Sequence, residues 1–264
     1  MQLRRCHAHI AIRSVVRSFS ERRALLRENV VTAPLPARPD QFVEFYLRDR
    51  YAVSHDAGPV VEAPEAVVVG PQSYRRTRLF MAGDIHVFTI GFQPGGFHAL
   101  FRVPMPELVN QGMPIHDVMG TAAVALRDGI MRADDFDARV AIVQRWVRQR
   151  MDVAPPVDRV ARLAALLQRS GGWVRIDALG RRSRLSDRQF TRRFETQVGL
   201  TPKLFARTVR FNAVLTAKAE SPGRSWTGLV HAAGYADQAH FVRDCRAFAG
   251  DAPGDFFPEW VRGR

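Results

Sequence analysis

Two short clusters of side chains in this sequence have the chemistry to read base edges. Arg188, Gln189 and Arg192 stand beside Arg193, and Gln238, His240 and Arg243 stand beside Arg246. A guanidinium can donate two parallel hydrogen bonds to guanine, and a carboxamide pairs in the same way with adenine. Spacing decides whether such groups act together. At 100° per residue Phe190, Phe194 and Val198 fall on one stripe of a helix, opposite Arg188, Gln189, Arg192 and Thr196. Phe241, Cys245 and Phe248 form a second stripe, with Ala239, His240, Arg243, Arg246 and Ala247 facing away. Taken singly, either cluster also fits an ordinary amphipathic helix with a solvated basic face.

The elements that must position these residues are signalled on both sides. Ile176–Arg182 reads as a short helix, broken at Ser183-Arg184-Leu185. Ser186-Asp187-Arg188-Gln189 then forms a capping box, serine serving the N3 amide and glutamine reaching back. Trp226–Ala233 reads as another short helix, Gly234 supplies a turn at positive φ, and Asp237 caps the next helix. The same grammar thus occurs twice, with caps 51 residues apart, and Lys203–Ala219, opened by Thr201-Pro202, joins the copies. Two rigidly linked helices of this kind can enter successive major grooves on one face of a duplex, about 34 Å apart.

These residues resemble the AraC/XylS-type transcriptional regulators of bacteria, whose DNA-binding domain is two helix-turn-helix units joined by a long helix. Leu185-Ser186-Asp187-Arg188-Gln189-Phe190, Arg192-Arg193-Phe194 and Val198-Gly199-Leu200-Thr201-Pro202 look like the first unit. Ala233-Gly234-Tyr235-Ala236-Asp237-Gln238-Ala239-His240-Phe241 with Arg243 is similar to the more specific signature of the second. The match covers about 158–258. The resemblance implies base contacts from residues early in each second helix: Arg188, Gln189 and Arg192, then Gln238, His240 and Arg243. Arg193, Lys203 and Arg246 are expected on phosphates, which position a domain without reading sequence. Three departures stand out. Arg184 occupies the place of the usual turn glycine, Cys245 that of a phenylalanine, and Asp251-Ala252 that of an apolar residue and a hydroxyl residue.

Charge distribution points the same way. The 264 residues carry 39 basic and 26 acidic side chains, a net +13. Such an excess favours a polyanionic partner, nucleic acid before a membrane surface. All but two of the basic residues, Lys203 and Lys218, are arginine, which the codon usage of a GC-rich genome would also produce. Residues 1–28 hold seven arginines and two glutamates, residues 29–153 hold 13 basic and 14 acidic side chains, and residues 154–264 hold 19 and 10. A basic unit is therefore attached to a neutral one. Pro155-Pro156 marks the linker, at about 151–157, because tandem prolines cannot continue a helix. The domains expected are a basic extension (1–28), a regulatory or sensor domain (29–152) and a DNA-binding domain (153–264). Hydrophobic and charged fractions of 46% and 25% exclude disordered, collagen-like and multi-span membrane classes. Two cysteines build no disulfide framework, so a reducing cytoplasm is expected, without a membrane association.

The neutral portion reads as α+β, a small sheet followed by helices, ahead of an all-α C-terminal domain. Strands are expected at Phe42–Leu47, Ala66–Gly70, Arg78–Ala82 and Ile85–Gly91, the last two as a hairpin turning at Gly83-Asp84. Phe97–Phe101 forms a helical turn, and Ile115–Leu126 and Phe136–Val147 have helical spacing. Val87–Phe97 also resembles the N-terminal domain of an uncharacterised subgroup of such regulators. His55, His86, His98 and His116 are scattered, His7 and His9 form a lone pair, and no nucleotide-binding or nucleophile motif is present. No metal, catalytic residue or cofactor is expected, and the protein is read as a non-enzyme. Phe80, Phe88, Phe92, Phe97 and Phe101 either line an effector pocket or form a core. In residues 1–28, Ile12, Val15, Val16, Phe19 and Leu26 are spaced as an amphipathic helix. A DNA-contacting arm, a membrane-surface helix, a poorly ordered extension and translation from too early a start are open readings of that segment.

The expected function is sequence-specific transcriptional regulation through double-stranded DNA. A small-molecule effector, RNA polymerase and a second copy of the chain are the further candidate partners. The alternatives are a cofactor-dependent enzyme with an accessory DNA module and a non-specific nucleoid-type binder.

Overall fold

The run Asp84–Phe92 is apolar on both of its alternating sides, so a strand made from it must be covered on both faces. The computed structural model describes residues 2–27, 29–56, 58–74 and 77–262. Among these, β1 (Gln2–His7), β2 (Val16–Leu25), β3 (Val31–Leu35), β4 (Phe42–Tyr46) and β5 (Ala52–His55) are followed by β6 (Val61–Glu62), β7 (Ala66–Val69), β8 (Thr77–Met81), β9 (Asp84–Phe92) and β10 (Gly112–Pro114). One sheet runs β1-β2-β9-β4-β7-β10 and the other β3-β8-β5-β6, with every pairing antiparallel. Ile85 and Val87 of β9 join a core between the sheets, while Phe88, Ile90 and Phe92 join a core against the helices.

The helices of this first part are α1 (Gly96–Phe101), α2 (Ile115–Met119), α3 (Ala122–Arg132) and α4 (Phe136–Val153). Leu126, Ile130, Phe136, Val140, Val143 and Val147 press α3 and α4 onto the larger sheet. A buried ion pair fixes the register: Arg139 Nη1 lies 3.0 Å from Glu21 Oε2 of β2. Arg139 also donates to the carbonyls of Ile130 and Ala133, closing the C-terminal end of α3.

Three expectations need correction. Gly83-Asp84 does not turn a hairpin, because β8 lies in the smaller sheet and β9 in the larger. Gly83, at φ 75°, carries the chain from one layer to the other. The Gly-Asp turn signal is local, whereas the layer each strand joins is set by distant partners, β3 and β5 for β8 and β2 and β4 for β9. Residues 2–27 are neither an arm outside the sheet nor a helix. β1 and β2 pair along their length, β2 pairs with β9, and Ile12, Val15, Val16 and Phe19 are buried core. Met1 and Glu28, the ends of that segment, lie outside the described residues, as does Arg264. The helix expected over Ile115–Leu126 is cut at Gly120, whose φ 68° and ψ −164° suit glycine alone.

After Pro155-Pro156 the chain is helical: α5 (Arg159–Arg169), α6 (Ile176–Ser183), α7 (Asp187–Val198), α8 (Pro202–Glu220), α9 (Trp226–Ala232), α10 (Gln238–Ala249) and α11 (Pro253–Arg262). One core gathers α5, α6, α7 and the start of α8 around Phe190, Phe194 and Phe205. A second gathers the rest of α8 with α9, α10 and α11 around Phe211, Phe241, Phe248 and Phe256. No helix among the described residues is long and apolar enough to cross a membrane.

Candidate nucleic-acid interface

The first unit is built around α7. Ser186 Oγ accepts from the Gln189 amide at 3.3 Å, and the Ser186 amide donates to Gln189 Oε1 at 3.1 Å, completing the capping box. Phe190, Phe194, Gln197 and Val198 are buried, so α7 presents Arg188, Gln189, Arg192 and Arg193 to solvent. Arg188 and Arg192 have no ion pair among the described residues, whereas Arg193 pairs with Asp158. Gln189 is less available than its position suggests, since its Oε1 serves the cap; in this state only its amide hydrogens remain for a base.

Arg184 sits at φ 62° and ψ 27°, in the left-handed region, where α6 stops. A Cβ-bearing residue there costs roughly 1 kcal/mol that glycine does not. Arg184→Gly should therefore raise the stability of this unit by about 0.5–1 kcal/mol, read as a higher midpoint in urea. A lower midpoint would mean that the Arg184 side chain contributes more than its backbone costs.

The second unit repeats the plan with different closures. Leu229 and Val230 of α9 are buried, and Gly234 turns the chain at φ 78°. A Cβ at Gly234 would stand 3.0 Å from the Trp173 ring, so Trp173, half-exposed in the loop before α6, packs on this turn. Asp237 caps α10 through the His240 amide at 2.6 Å. Phe241, Cys245 and Phe248 are buried as the spacing predicts. Burial pushes the Cys245 thiol up to about 12, which keeps it protonated and inert.

Between them lies Asp244, which sequence reasoning passed over. It is 1% exposed and accepts from Arg207 Nη2 at 2.6 Å, Arg207 Nε at 3.2 Å and the Tyr235 hydroxyl at 3.1 Å. Burial, then the neighbouring carboxylate, raises the Tyr235 phenol and keeps it a donor. An acid three residues after Phe241 and one before Cys245 lies on an apolar stripe, and that was the available signal for a buried partner. Gln238 and Arg243 are exposed, and Arg243 has no ion pair among the described residues. His240 departs from its expected place facing outward: its ring meets the Tyr235 ring edge-on at 5.1 Å and is half-buried. Lys203 and Arg246 are both exposed.

The units are tied to the sheet domain at two points. Gln41 Nε2 donates to the Val198 carbonyl, at the C-terminal end of α7, at 3.0 Å. Ala37, fully buried in the second helical core, donates to the Phe248 carbonyl of α10 at 2.8 Å, and Asn212 Nδ2 donates to the Ala37 carbonyl. The strap that carries Ala37, from β3 to β4, also walls a cavity of about 630 Å³ between the sheets. Arg22, Glu44, Tyr46 and Tyr51 form a polar patch in that cavity beside Leu79 and Val67, and Asn212, Thr216 and Trp260 close it from the helical side. Arg38 Nε is buried there without a hydrogen-bond partner, and burial lowers the guanidinium below its ordinary value. Burial likewise raises Glu44.

None of Phe80, Phe88, Phe92, Phe97 and Phe101 lines this cavity. Phe88 and Phe92 belong to the core under α4 because even-numbered residues of β9 face the helices, while Phe97 joins that core and Phe101 packs against it from α1. Phe80 lies half-buried on β8. The histidines lie apart: His55 on Thr77, His86 on Glu21, His98 on the Val103 carbonyl and His116 on Asp117. Among the described residues no three metal-ligating side chains gather.

Residues 179–258 match the helix-turn-helix domain family, and residues 26–114 match a domain of unknown function, DUF6597. No match is found among curated proteins. Among solved structures, ToxT from Vibrio cholerae is similar at 10% identity, over 91% of this chain and 98% of that one, with a TM-score of 0.49. An apo variant of ToxT aligns at 9% identity over 97% and 100% of the two chains, with a TM-score of 0.50, a likeness of fold. ToxT bound to an unsaturated fatty acid aligns at 10% identity over 90% and 94%, with a TM-score of 0.49. The C-terminal part is thus a helix-turn-helix domain of the AraC type behind a DUF6597 domain, and the chain is a DNA-binding regulator of transcription.

Proposed function

We propose that this regulator is sequence-specific, with α7 and α10 entering successive major grooves of one operator. Arg188, Arg192, Gln238 and Arg243 read bases in this account. Arg193, Lys203 and Arg246 hold phosphates, and Gln189 and His240 act mainly at the cap and against Tyr235. The observation that carries the reading is the repeated display. Two N-capped helices each bury a phenylalanine stripe and leave unpaired arginines outward. Phosphate binding alone requires no such order, which weighs against a nucleoid-type binder.

The cavity between the sheets, and not the set of five phenylalanines, is the effector site in this account. Its volume is in the range of small-molecule sites, and it combines apolar walls with a few convergent polar groups, one of them an unsatisfied arginine nitrogen. An occupant would press on the strap that hydrogen-bonds α8 and α10 through Ala37.

Selection of binding sites from random duplex DNA by the full-length chain tests the proposal. The expected product is a two-part motif with centres about 10 base pairs apart. Recovery of no enriched motif would sink it.

A further inference from the structure

A crevice of about 580 Å³ runs along one flank of α7, and nothing so far assigns it a role. Gln189, Arg192, Arg193 and Thr196 form one wall, and His98 and Arg102 from the sheet domain form the other. The walls are held together at the base. A Cβ on Gly95 would come within 2.7 Å of the Ala161 Cβ, and Gln41 bonds the end of α7. The acid in the crevice, Asp158, is already paired with Arg193. Arg102 is exposed at the end of α1, with φ 61°, and makes no ion pair among the described residues.

The size of the groove gives this wall a consequence. An α-helix with side chains is about 10–12 Å across, and the major groove is about 12 Å wide. A helix seated in the groove therefore has a phosphate chain along each flank. On the crevice side that chain must pass between α7 and the sheet domain.

We propose that the crevice is a phosphate channel in which Arg102, a residue of the N-terminal domain, contacts the DNA backbone beside the first recognition helix. The inference rests on the proposed docking of α7. It adds that the regulatory domain is itself part of the DNA-binding surface, so operator binding depends on how the two domains are held.

The test measures affinity of the full-length chain for two duplexes, one enriched by selection and one of random sequence, across a salt series. Arg102→Gly removes the charge and also relieves the positive φ, so weakened binding cannot be attributed to a strained fold. Arg102→Ala and Arg102→Lys are run beside it. Arg102→Gly and Arg102→Ala should weaken both duplexes by the same factor, roughly threefold to tenfold. The slope of log K against log salt should fall by about 0.9, one phosphate, with the selected motif unchanged. Arg102→Lys should keep the wild-type slope. An unchanged slope overturns the proposal, and so does tighter binding, which would mean that the wall obstructs DNA. If wild type enriches no motif, the docking of α7 fails. If wild type enriches a motif and Arg102→Gly binds as wild type does, the channel alone fails.

Discussion

Replacing Asp244 with alanine should destabilise the second helix-turn-helix unit by about 3–5 kcal/mol, the range for a buried ion pair that loses one partner. The carboxylate is 1% exposed and meets three donors, two on Arg207 and one on Tyr235. Its removal leaves a buried hydroxyl and a guanidinium without an acceptor, and those uncompensated groups carry most of the cost. The Arg207 side chain keeps 34% exposure, so water reaches it and the loss should fall near the lower end. Asp244→Asn preserves the volume and one acceptor and should cost less. Trp226 stacks near Phe241 at 5.6 Å and Lys218 lies over its ring, so, with Trp146 of the sheet domain replaced by phenylalanine, tryptophan fluorescence in urea reports the helical units. A loss below about 1 kcal/mol would show that the network tethers α8 to α10 without stabilising them.

The second large effect lies in the sheet domain. Glu21→Ala strands the Arg139 guanidinium between β2 and α4, where the two side chains are 3% and 6% exposed, and a similar loss of about 3–5 kcal/mol is expected. The double variant Glu21→Met with Arg139→Leu should recover part of it, because the buried guanidinium leaves with its partner, although His86 and the half-exposed Arg23 still lose the Glu21 carboxylate. Recovery stays partial, since Arg139 also satisfies the carbonyls of Ile130 and Ala133. Equilibrium unfolding of the three proteins measures this. A double variant less stable than Glu21→Ala would place the main contribution in the carbonyl bonds instead of the ion pair.

Local signals made the DNA-binding half readable. The Ser186 and Asp237 caps, the Gly234 turn and the phenylalanine stripes all act within a dozen residues, and each is found where spacing places it. Even Arg184 appears with the positive φ that a missing glycine implies. Helix α5 carries a comparable signal, with Val160, Leu163, Ala164 and Leu167 behind the Asp158 cap. The sheet domain resisted reading because its information is non-local. β2 pairs with β9 between residues 59 to 76 apart in the chain, and a bulge between Val16 and Ser18 blurs its alternation, so its apolar residues mimic a helix. The cavity was missed for a related reason. Phenylalanines attract attention in a sequence, but parity along β9 turns Phe88 and Phe92 toward the helices, Phe97 and Phe101 sit on α1, and the cavity falls to Arg22, Glu44, Tyr46 and Tyr51 elsewhere. Ala37 illustrates the limit: an alanine between prolines and arginine gives no hint that it plugs the core of a distant helical unit.

The central claim is that α7 and α10 read separate parts of one operator. Its most direct test is site selection with Arg192→Ala and Arg243→Ala beside wild type. Each substitution should weaken binding by about 1–3 kcal/mol and relax preference at one position, the two positions lying in different halves of the motif. Loss of preference in the same half by both, or uniform weakening with the motif intact, would contradict it.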